Sequence, residues 1–412
     1  MIVIVNFRKV ETYKNWFLQI ERLPMNELLI NGLARVKWIR SRMLLLRNMQ
    51  KLFEVQQPFK NKTIGVSLHL EPKTAVLLET LQIGGAKIVG TGNLGSTQDD
   101  IVEVLKSWGM VVYGQRSTDV KNHLSNVGKV IDYKPDLLLD NGADLVESAI
   151  KRNLGRSIIG GTEETTSGHD KLLKTYDNKL NFPIIVINDS PLKRIVENQH
   201  AVGQGNVESL MRMTNLMING RRFVIVGYGW CGRGMAQYLR SFGGRVSIVE
   251  VDPIKNLEAI MDGFRVDTIH NLSSWGQFFC TATSKASVIS TEEFNMMPNG
   301  AILANSGHFP DEINVEGLKK LSVNRTKIGQ DLEEFELPNG RKIILVAGGQ
   351  MIELAGTEPK GNSIEAMDLG FMLQALSLEL ISTNPKGLKS GPQAVPMDIN
   401  NKIAQLMVEN FK

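Results

Sequence analysis

Short apolar segments alternate with longer amphipathic segments along much of the chain. Six runs have the length and composition of buried strands, at residues 63–69, 86–90, 110–113, 137–140, 157–160 and 183–188. Helical patterns at residues 73–83 and 98–108 separate some of them. Strands that alternate with helices indicate a mostly parallel sheet covered on both faces. Residues 26–53 form one long amphipathic pattern, which we expect to cover one such face.

The segment VIVGYGWCGRGMAQYLRSFGGRVSIVEVD, residues 224–252, contains the successive parts of a dinucleotide cradle. Gly227 permits the tight turn after a β-branched run, Gly229 lets the backbone approach a pyrophosphate, and Gly232 lets helix and strand pack closely. Glu250 follows the second apolar run, where it can accept both hydroxyls of an adenosine ribose. Its charge repels a 2′-phosphate, although Lys255 is near enough to soften that repulsion. The pattern therefore predicts NAD as the cofactor.

Length and composition set the class of protein. A chain of 412 residues is too long for one hydrophobic core and indicates two or three domains. The net charge of +4 is small and no basic run occurs, so we expect neither a nucleic-acid nor a membrane partner. Cys231 and Cys280 have no metal-ligand spacing, which predicts no metal site and fits a reduced, cytoplasmic location.

The order of the predicted elements divides the chain into three parts. One α/β domain precedes about residue 195, and the dinucleotide-binding domain follows it and ends in the strand KIILVAGG. The tail then returns as a long helix, SIEAMDLGFMLQALSLELIS.

Polar residues follow the ends of several predicted strands, and ligands of open α/β sheets bind at those carboxyl ends. His69, Asn141 and Glu164 have such positions. Lys193 and Glu197 lie one turn apart on a helix that Ser190-Pro191 would begin. Each also has an ordinary explanation as a strand-end histidine, a helix cap or a solvated ion pair. Their combination with a nicotinamide site favours a catalytic role.

Five motifs resemble those of the S-adenosylhomocysteine hydrolase family and occur in that family's order. They are ETTSG at 164–168, VINDSPLK at 186–193, VGYGWCGRG at 226–234, NSGHF at 305–309 and EAMD at 365–368. The resemblance covers about residues 27–410. It implies an α/β fold in which a Rossmann-type NAD-binding domain, residues 196–352, is inserted in a split substrate-binding domain formed by residues 1–195 and 353–412. It also implies a homo-oligomer, either a dimer or a tetramer.

The chemistry implied by the resemblance is a redox cycle without net oxidation. Bound NAD oxidises the 3′-hydroxyl of a ribose, which acidifies the neighbouring C4′ proton. The 5′-thioether is then eliminated reversibly, water adds, and the ketone is reduced again. The implied substrate is nucleoside-like.

Carried over residue by residue, the resemblance assigns roles to many positions of this chain. Lys193 is the base beside the 3′-hydroxyl, for which a depressed pKa would be suitable, and Glu164 holds the ribose hydroxyls. The catalytic set is His69, Asn141, Glu164, Lys193, Glu197 and His308. The cofactor set is Thr165, Thr166, Ser167, Asn198, Gly227, Gly229, Trp230, Cys231, Gly232, Glu250, Lys255 and Ser306. The substrate set is Glu71, Lys73, Ser96, Asn188 and Leu354.

Several positions depart from the family pattern. Asn141 replaces an aspartate that partners the histidine at the 5′ end, and Glu197 replaces an aspartate. Val202 and Glu353 replace a cysteine and an asparagine. The segment EPKGNS at 358–363 lacks the family's histidine, and the family's terminal Lys/Tyr tail has no counterpart after Lys412.

Glu71 and Lys73 stand where the family reads adenine with a threonine and an acid or amide. A carboxylate only accepts hydrogen bonds and an ammonium only donates them. This pair therefore suits the hydrogen-bonding edge of a base other than adenine. The alternative is that both side chains turn to solvent and pair with each other. The sequence thus leaves three hypotheses: a divergent S-adenosylhomocysteine hydrolase, a related NAD enzyme with a different nucleoside- or sugar-like substrate, and a catalytically weak NAD-binding regulatory homologue.

Overall fold

A computed structural model describes residues 26–176, 179–307 and 310–412. Its helices are α1 Glu27–Arg42, α2 Leu44–Gln56, α3 Pro72–Ile83, α4 Asp99–Ser107, α5 Val120–Asp132, α6 Asp144–Lys151, α7 Thr166–Lys171, α8 Val202–Thr214, α9 Trp230–Ser241, α10 Pro253–Met261, α11 Ile269–Ser273, α12 Thr291–Met296, α13 Val315–Leu321, α14 Ile364–Thr383 and α15 Met397–Asn410. Its strands are β1 Thr63–Leu68, β2 Lys87–Gly92, β3 Val111–Tyr113, β4 Leu137–Asp140, β5 Gly160–Glu163, β6 Pro183–Val186, β7 Arg222–Val226, β8 Arg245–Val249, β9 Arg265–Val266, β10 Phe278–Thr281, β11 Ala301–Asn305, β12 Asn324–Lys327, β13 Leu332–Glu336, β14 Lys342–Val346 and β15 Gly391–Ala394. None of the helices in these ranges is long and apolar enough to cross a membrane.

The first sheet contains the predicted N-terminal strands and one strand from the C-terminal segment. Its order is β15-β6-β5-β4-β1-β2-β3, and every neighbouring pair is parallel. The strands β4 and β6 are wholly buried, as expected for a parallel sheet with both faces covered. The C-terminal strand β15 pairs with β6 through Gly391 and Pro183, so the tail returns to this sheet as a strand as well as a helix.

The second sheet has the topology of a Rossmann fold with two added strands. Its order is β12-β13-β14-β11-β10-β7-β8-β9, in which the six strands from β14 to β9 are parallel and β13 and β12 are antiparallel additions. The predicted fold class, α/β with a Rossmann-type dinucleotide fold and a separate α/β sheet, is therefore confirmed.

The strand order explains where the site lies. Each sheet has a switch point, at which the strand order reverses direction. It lies between β1 and β4 in the first sheet and between β7 and β10 in the second. Ligands of open parallel sheets bind at the carboxyl ends of strands beside such a switch point. His69 and Asn141 follow β1 and β4, whereas Gly227 and Ala282 follow β7 and β10.

A buried carboxylate joins helix α14, in the C-terminal segment, to helix α2. Asp368, in the EAMD motif, accepts hydrogen bonds from the backbone N–H groups of Leu45 (2.7 Å) and Leu46 (2.9 Å) at the first turn of α2. This cap starts a new helix directly after Met43, whose ψ of 79° is not helical. The long helical pattern predicted for residues 26–53 is therefore two helices.

Two other predicted elements differ from the structure. The run at residues 157–160 is not a strand along its length, because a short 3₁₀ helix, Gly155–Ser157, ends there and the strand starts only at Gly160. Small residues are needed in that strand because a Cβ at Gly161 would lie 2.7 Å from the carbonyl oxygen of Leu138. The segment Lys193–Ala201 is a π-helix that continues into α8. Wide helical turns of this kind are often found at functional sites.

Candidate active site

One cavity, of about 200 Å³, is lined by residues from both sheets and from the C-terminal segment. It brings together most residues that the sequence assigned to catalysis, cofactor and substrate: His69, Glu71, Lys73, Asn141, Glu164, Thr165, Thr166, Ser167, Asn188, Lys193, Glu197, Asn198, Cys231, Ser306 and Leu354. Of the remaining catalytic set, His308 lies outside the described residues.

A buried lysine between two carboxylates is the most polar part of the cavity. Lys193 Nζ lies 2.5 Å from Glu197 Oε1 and 3.4 Å from Glu164 Oε1. Ser190 Oγ accepts from the backbone N–H of Leu192 at 3.1 Å, which confirms the predicted helix start that positions Lys193. All three charged side chains are less than a tenth exposed, so this is not the solvated surface pair of the ordinary explanation.

The charges of this cluster set its protonation. Burial alone would lower the pKa of Lys193, but the charges of Glu197 and Glu164 outweigh burial and raise it. The cluster therefore does not produce the depressed pKa that would suit a general base. Burial opposes ionisation of Glu164 too, yet Lys193 and the amide of Asn141 lower its pKa. Burial raises the pKa of Glu197 against the attraction of Lys193. Lys193 is thus an ammonium ion with a ready proton acceptor beside it.

His69 is held by a hydroxyl at the neighbouring strand end. Its Nδ1 shares a hydrogen bond of 2.6 Å with Ser96 Oγ. Asn141 donates to Glu164 Oε2 at 3.1 Å and accepts from Asn93 at 2.9 Å. The amide that replaces the family's aspartate thus connects the 5′ side of the predicted site to the carboxylate that is expected to hold the ribose.

The loop after β5 is fixed by hydrogen bonds beneath the cavity. Glu163 accepts from the backbone N–H groups of Gly142 and Ala143, both at 2.9 Å, and from Thr165 Oγ1 at 2.7 Å. Burial, and then the nearby charge of Asp140, raises the pKa of Glu163 to about 8. The sequence assigned Glu163 no role, because sequence alone does not show which of two adjacent acids points its side chain into the cavity.

Amides and hydroxyls form the expected nicotinamide side. Asn188 Nδ2 donates to Thr166 Oγ1 at 2.7 Å, and Asn198 Nδ2 donates to Asn188 Oδ1 at 2.8 Å. Thr165 Oγ1 and Ser167 Oγ are 3.1 Å apart. The sequence motifs ETTSG and VINDSPLK are thereby joined at one wall of the cavity.

Glu71 and Lys73 form a buried ion pair instead of turning to solvent. Lys73 Nζ lies 3.0 Å from Glu71 Oε2 and donates to the backbone carbonyl of Lys360 at 2.8 Å. The two side chains are 5% and 8% exposed, and both line the cavity. Lys73 therefore ties the segment at 358–363 to the start of α3.

The glycine-rich turn after β7 has the form of an open dinucleotide cradle. Gly227 has φ of 101°, which favours glycine. A Cβ at Gly232 would lie 2.0 Å from the carbonyl oxygen of Gly227, so helix and strand are as close as the motif predicts. A Cβ at Gly229 would meet no atom within 4 Å and would project into open space at the start of α9. The turn leaves room where a pyrophosphate is expected, so NAD fits these residues.

The remaining predicted cofactor residues surround that turn. Glu250 accepts from the backbone N–H of Tyr228 at 2.7 Å and follows β8. Trp230 begins α9 and is exposed, and Lys255 lies in the first turn of α10. Ser306 is buried at the cavity, and its Oγ has no hydrogen-bond partner among the described residues. An orphaned hydroxyl in a cavity wall is suited to contact a ligand.

Glu353 and Asn362 line the cavity although the sequence analysis assigned neither to the site. The only sequence signal was that Glu353 replaces the family's asparagine. Burial, followed by the charge of Glu197, raises the pKa of Glu353 to about 8. Asn362 donates to Glu197 Oε1 at 3.4 Å. Their loop follows the last strand of the second sheet and reaches the site only through tertiary folding.

The two sheets, the open cradle and the polar cavity that residues of both parts line define an NAD-binding α/β enzyme. The chain matches the family described as S-adenosyl-L-homocysteine hydrolase over residues 28–154 and that family's NAD-binding domain over residues 198–358. It belongs to this family.

Several relatives resemble the chain over most of its length. The S-inosyl-L-homocysteine hydrolase of Methanopyrus kandleri is 39% identical over 92% of this chain and 90% of its own. The adenosylhomocysteinases of Sulfolobus acidocaldarius and Aquifex aeolicus are also 39% identical, over 92% and 91% of this chain and 91% and 90% of their own. These comparisons support the hypothesis of an NAD-dependent hydrolase of this family and not the two alternatives.

Proposed function

We propose that this protein catalyses the reversible hydrolysis of an S-nucleosidyl-L-homocysteine, with S-adenosyl-L-homocysteine as one candidate substrate. The observation that carries the proposal is the buried Lys193 between Glu164 and Glu197, in the same cavity as residues from the dinucleotide cradle. When bound, NAD supplies a reversible acceptor for a hydride from the ribose 3′ carbon. The cradle at Gly227, Gly229 and Gly232 would hold its pyrophosphate, and Glu250 its adenosine ribose.

The Lys193 cluster supports a proton transfer at the ribose. Lys193 carries a proton in the resting site, and its contact of 2.5 Å offers that proton a place on Glu197. Once Glu197 accepts it, the neutral amine takes the proton of a substrate hydroxyl. Glu164 Oε1 lies 3.4 Å from Lys193 Nζ, and its carboxylate would accept hydrogen bonds from the ribose hydroxyls.

His69, which follows the switch-point strand β1, supports proton transfer at the 5′ end. Ser96 fixes the ring of His69 through Nδ1. His69 then donates to the leaving homocysteine sulfur and later takes a proton from the attacking water. Because the amide of Asn141 carries no charge, it stabilises an imidazolium less than a carboxylate would, and we expect this step to be slower than with an aspartate.

A second candidate substrate is S-inosyl-L-homocysteine. An ammonium has three donors. Lys73 directs two of them to Glu71 and the Lys360 carbonyl, and the third suits an acceptor such as the 6-oxo group of hypoxanthine. The 6-amino group of adenine offers a donor in that position, so Lys73 favours the oxo base there.

The experiment is to incubate purified protein, reconstituted with NAD, with each thioether separately and to measure free homocysteine and NADH absorbance. We expect thiol release from at least one substrate and faster release from the preferred base. Absence of thiol from both, with NAD bound, would contradict the proposed hydrolysis.

We also propose a homo-oligomer and the domain limits 1–195, 196–352 and 353–412. Leu257 and Met261 on α10 are exposed apolar side chains that a second copy could cover. Sedimentation of the purified protein tests this: a dimer or tetramer is expected, and a monomer at high concentration contradicts it.

A further inference from the structure

The cavity contains more acidic groups than cations. Among the described residues, its walls hold four carboxyl groups, from Glu71, Glu164, Glu197 and Glu353, and two ammonium groups, from Lys73 and Lys193. Full ionisation would therefore leave an excess of two negative charges when His69 is neutral. A buried, uncompensated charge is costly, so one or more of these groups must hold a proton or receive a cation.

Among the described residues, Glu353 is the carboxyl group of the cavity that pairs with no cation. Glu71 pairs with Lys73 at 3.0 Å, and Lys193 lies 3.4 Å from Glu164 and 2.5 Å from Glu197. No Lys, Arg or His within the described ranges forms an ion pair with Glu353, which accepts a hydrogen bond from the Nδ2 amide of Asn206 at 3.4 Å. The residue is 5% exposed.

Glu353 also lies beside the cofactor cradle. It follows the bridge between Asn305 and Met351 at the carboxyl end of β11. Cys231, in the first turn of α9, lines the same cavity, and burial followed by the charge of Glu353 raises the pKa of this thiol to about 12. A dinucleotide whose pyrophosphate rests at the start of α9 must direct its nicotinamide half into this cavity.

We propose that Glu353 is protonated in the cofactor-free site and becomes a carboxylate when the cationic nicotinamide ring of NAD enters, so that NAD binding releases a proton. NADH has an uncharged ring and leaves the proton in place. The inference rests on the proposed NAD-dependent function and adds that Glu353 makes the site discriminate between the two redox forms of the cofactor.

The charges around Glu353 determine whether NAD affinity rises or falls with pH. Burial and the charge of Glu197 raise its pKa to about 8, while Lys73 and Lys193 act in the opposite direction. Cys231 is a neutral thiol, and Asn206 is uncharged. A cation brought into the cavity lowers the pKa of Glu353 below that of the empty site. NAD affinity therefore rises with pH up to about 8, by at most about tenfold per pH unit for one linked proton.

The test is calorimetry of NAD and NADH binding to cofactor-free protein near neutral pH, in two buffers that differ in ionisation enthalpy. The wild type should release a substantial part of one proton with NAD and almost none with NADH. Glu353→Gln keeps the shape of the side chain, should bind both forms, and should release no proton with either. Glu79→Gln is the matched control, because Glu79 is a buried acid that pairs with Arg40 outside the cavity.

Each outcome is decisive. Equal proton release by the wild type with NAD and NADH overturns the inference without any variant. Undiminished release by Glu353→Gln assigns the proton to another group and also overturns it. Failure of the wild type to bind NAD contradicts the proposed function itself, whereas binding without a linked proton contradicts only the role of Glu353.

Discussion

Replacing Gly229 with alanine tests the cofactor cradle without disturbing the fold. Gly229 is the N-cap of α9, with φ of −70° and ψ of −174°, a conformation that alanine adopts freely. Its added methyl group would meet no protein atom within 4 Å. The change in folding free energy should therefore stay within about 1 kcal/mol.

The same methyl group would occupy the space that a pyrophosphate needs. We expect it to displace the phosphates from the backbone N–H groups at the start of α9, with the loss of about two charge-assisted hydrogen bonds at roughly 1.5 kcal/mol each. A total of about 3 kcal/mol corresponds to NAD binding that is about 100-fold weaker. By contrast, Gly232→Ala would bring a Cβ within 2.0 Å of the Gly227 carbonyl oxygen and would disturb the turn itself.

The assay is NAD titration of cofactor-free protein, with urea unfolding as a check of stability. Gly329→Ala is the control, because its Cβ would lie 3.6 Å from Leu332, an ordinary contact away from the cavity. We expect weak NAD binding only for Gly229→Ala. Wild-type affinity in that variant would refute the placement of the pyrophosphate at this turn.

Three further predictions concern the polar groups around the cavity. Lys193→Ala should retain NAD but lose about 10²- to 10⁴-fold in substrate-dependent NADH formation, because the proton acceptor is gone; stopped-flow absorbance measures it, and an unchanged rate would reduce Lys193 to a structural role. Lys73→Met should cost about 3 kcal/mol in urea unfolding by leaving Glu71 buried and unpaired, and adding Glu71→Gln should restore part of that loss; strictly additive losses contradict the pair. Burial and then the charge of Asp140 raise the pKa of Glu163 from 4.5 to about 8, so the folded protein keeps a proton that the unfolded chain loses, and stability falls as pH rises through that window by up to about 1.4 kcal/mol per unit. Glu163→Gln should flatten this slope, and an equally steep slope in the variant would contradict the assignment.

Much of the fold could be predicted because it depends on local pattern. The apolar runs before His69 and Asn141 became buried parallel strands, and the glycines from Gly227 onward formed the predicted turn. Strand order then places these residues at two switch points, and His69 and Asn141 line one cavity together with Ala282 of the second sheet. Polar residues at strand ends therefore indicated which side chains would line this cavity.

Features that depend on distant partners could not be predicted. The break at Met43 is stabilised by Asp368, which is more than three hundred residues away. The polar strand β15 is stable only because β6 supplies its ladder. Burial lowers the pKa of Lys193, but Glu197 on the same helix and Glu164 from a distant loop together raise it. In each case the determining contact is tertiary.

Homocysteine release is the most direct test of the central claim. Protein with bound NAD should release free thiol from S-adenosyl-L-homocysteine or S-inosyl-L-homocysteine, and Lys193→Ala with the same NAD content should release almost none. Thiol release by the variant at the wild-type rate, or no release from either thioether by the wild type, would contradict the proposed function.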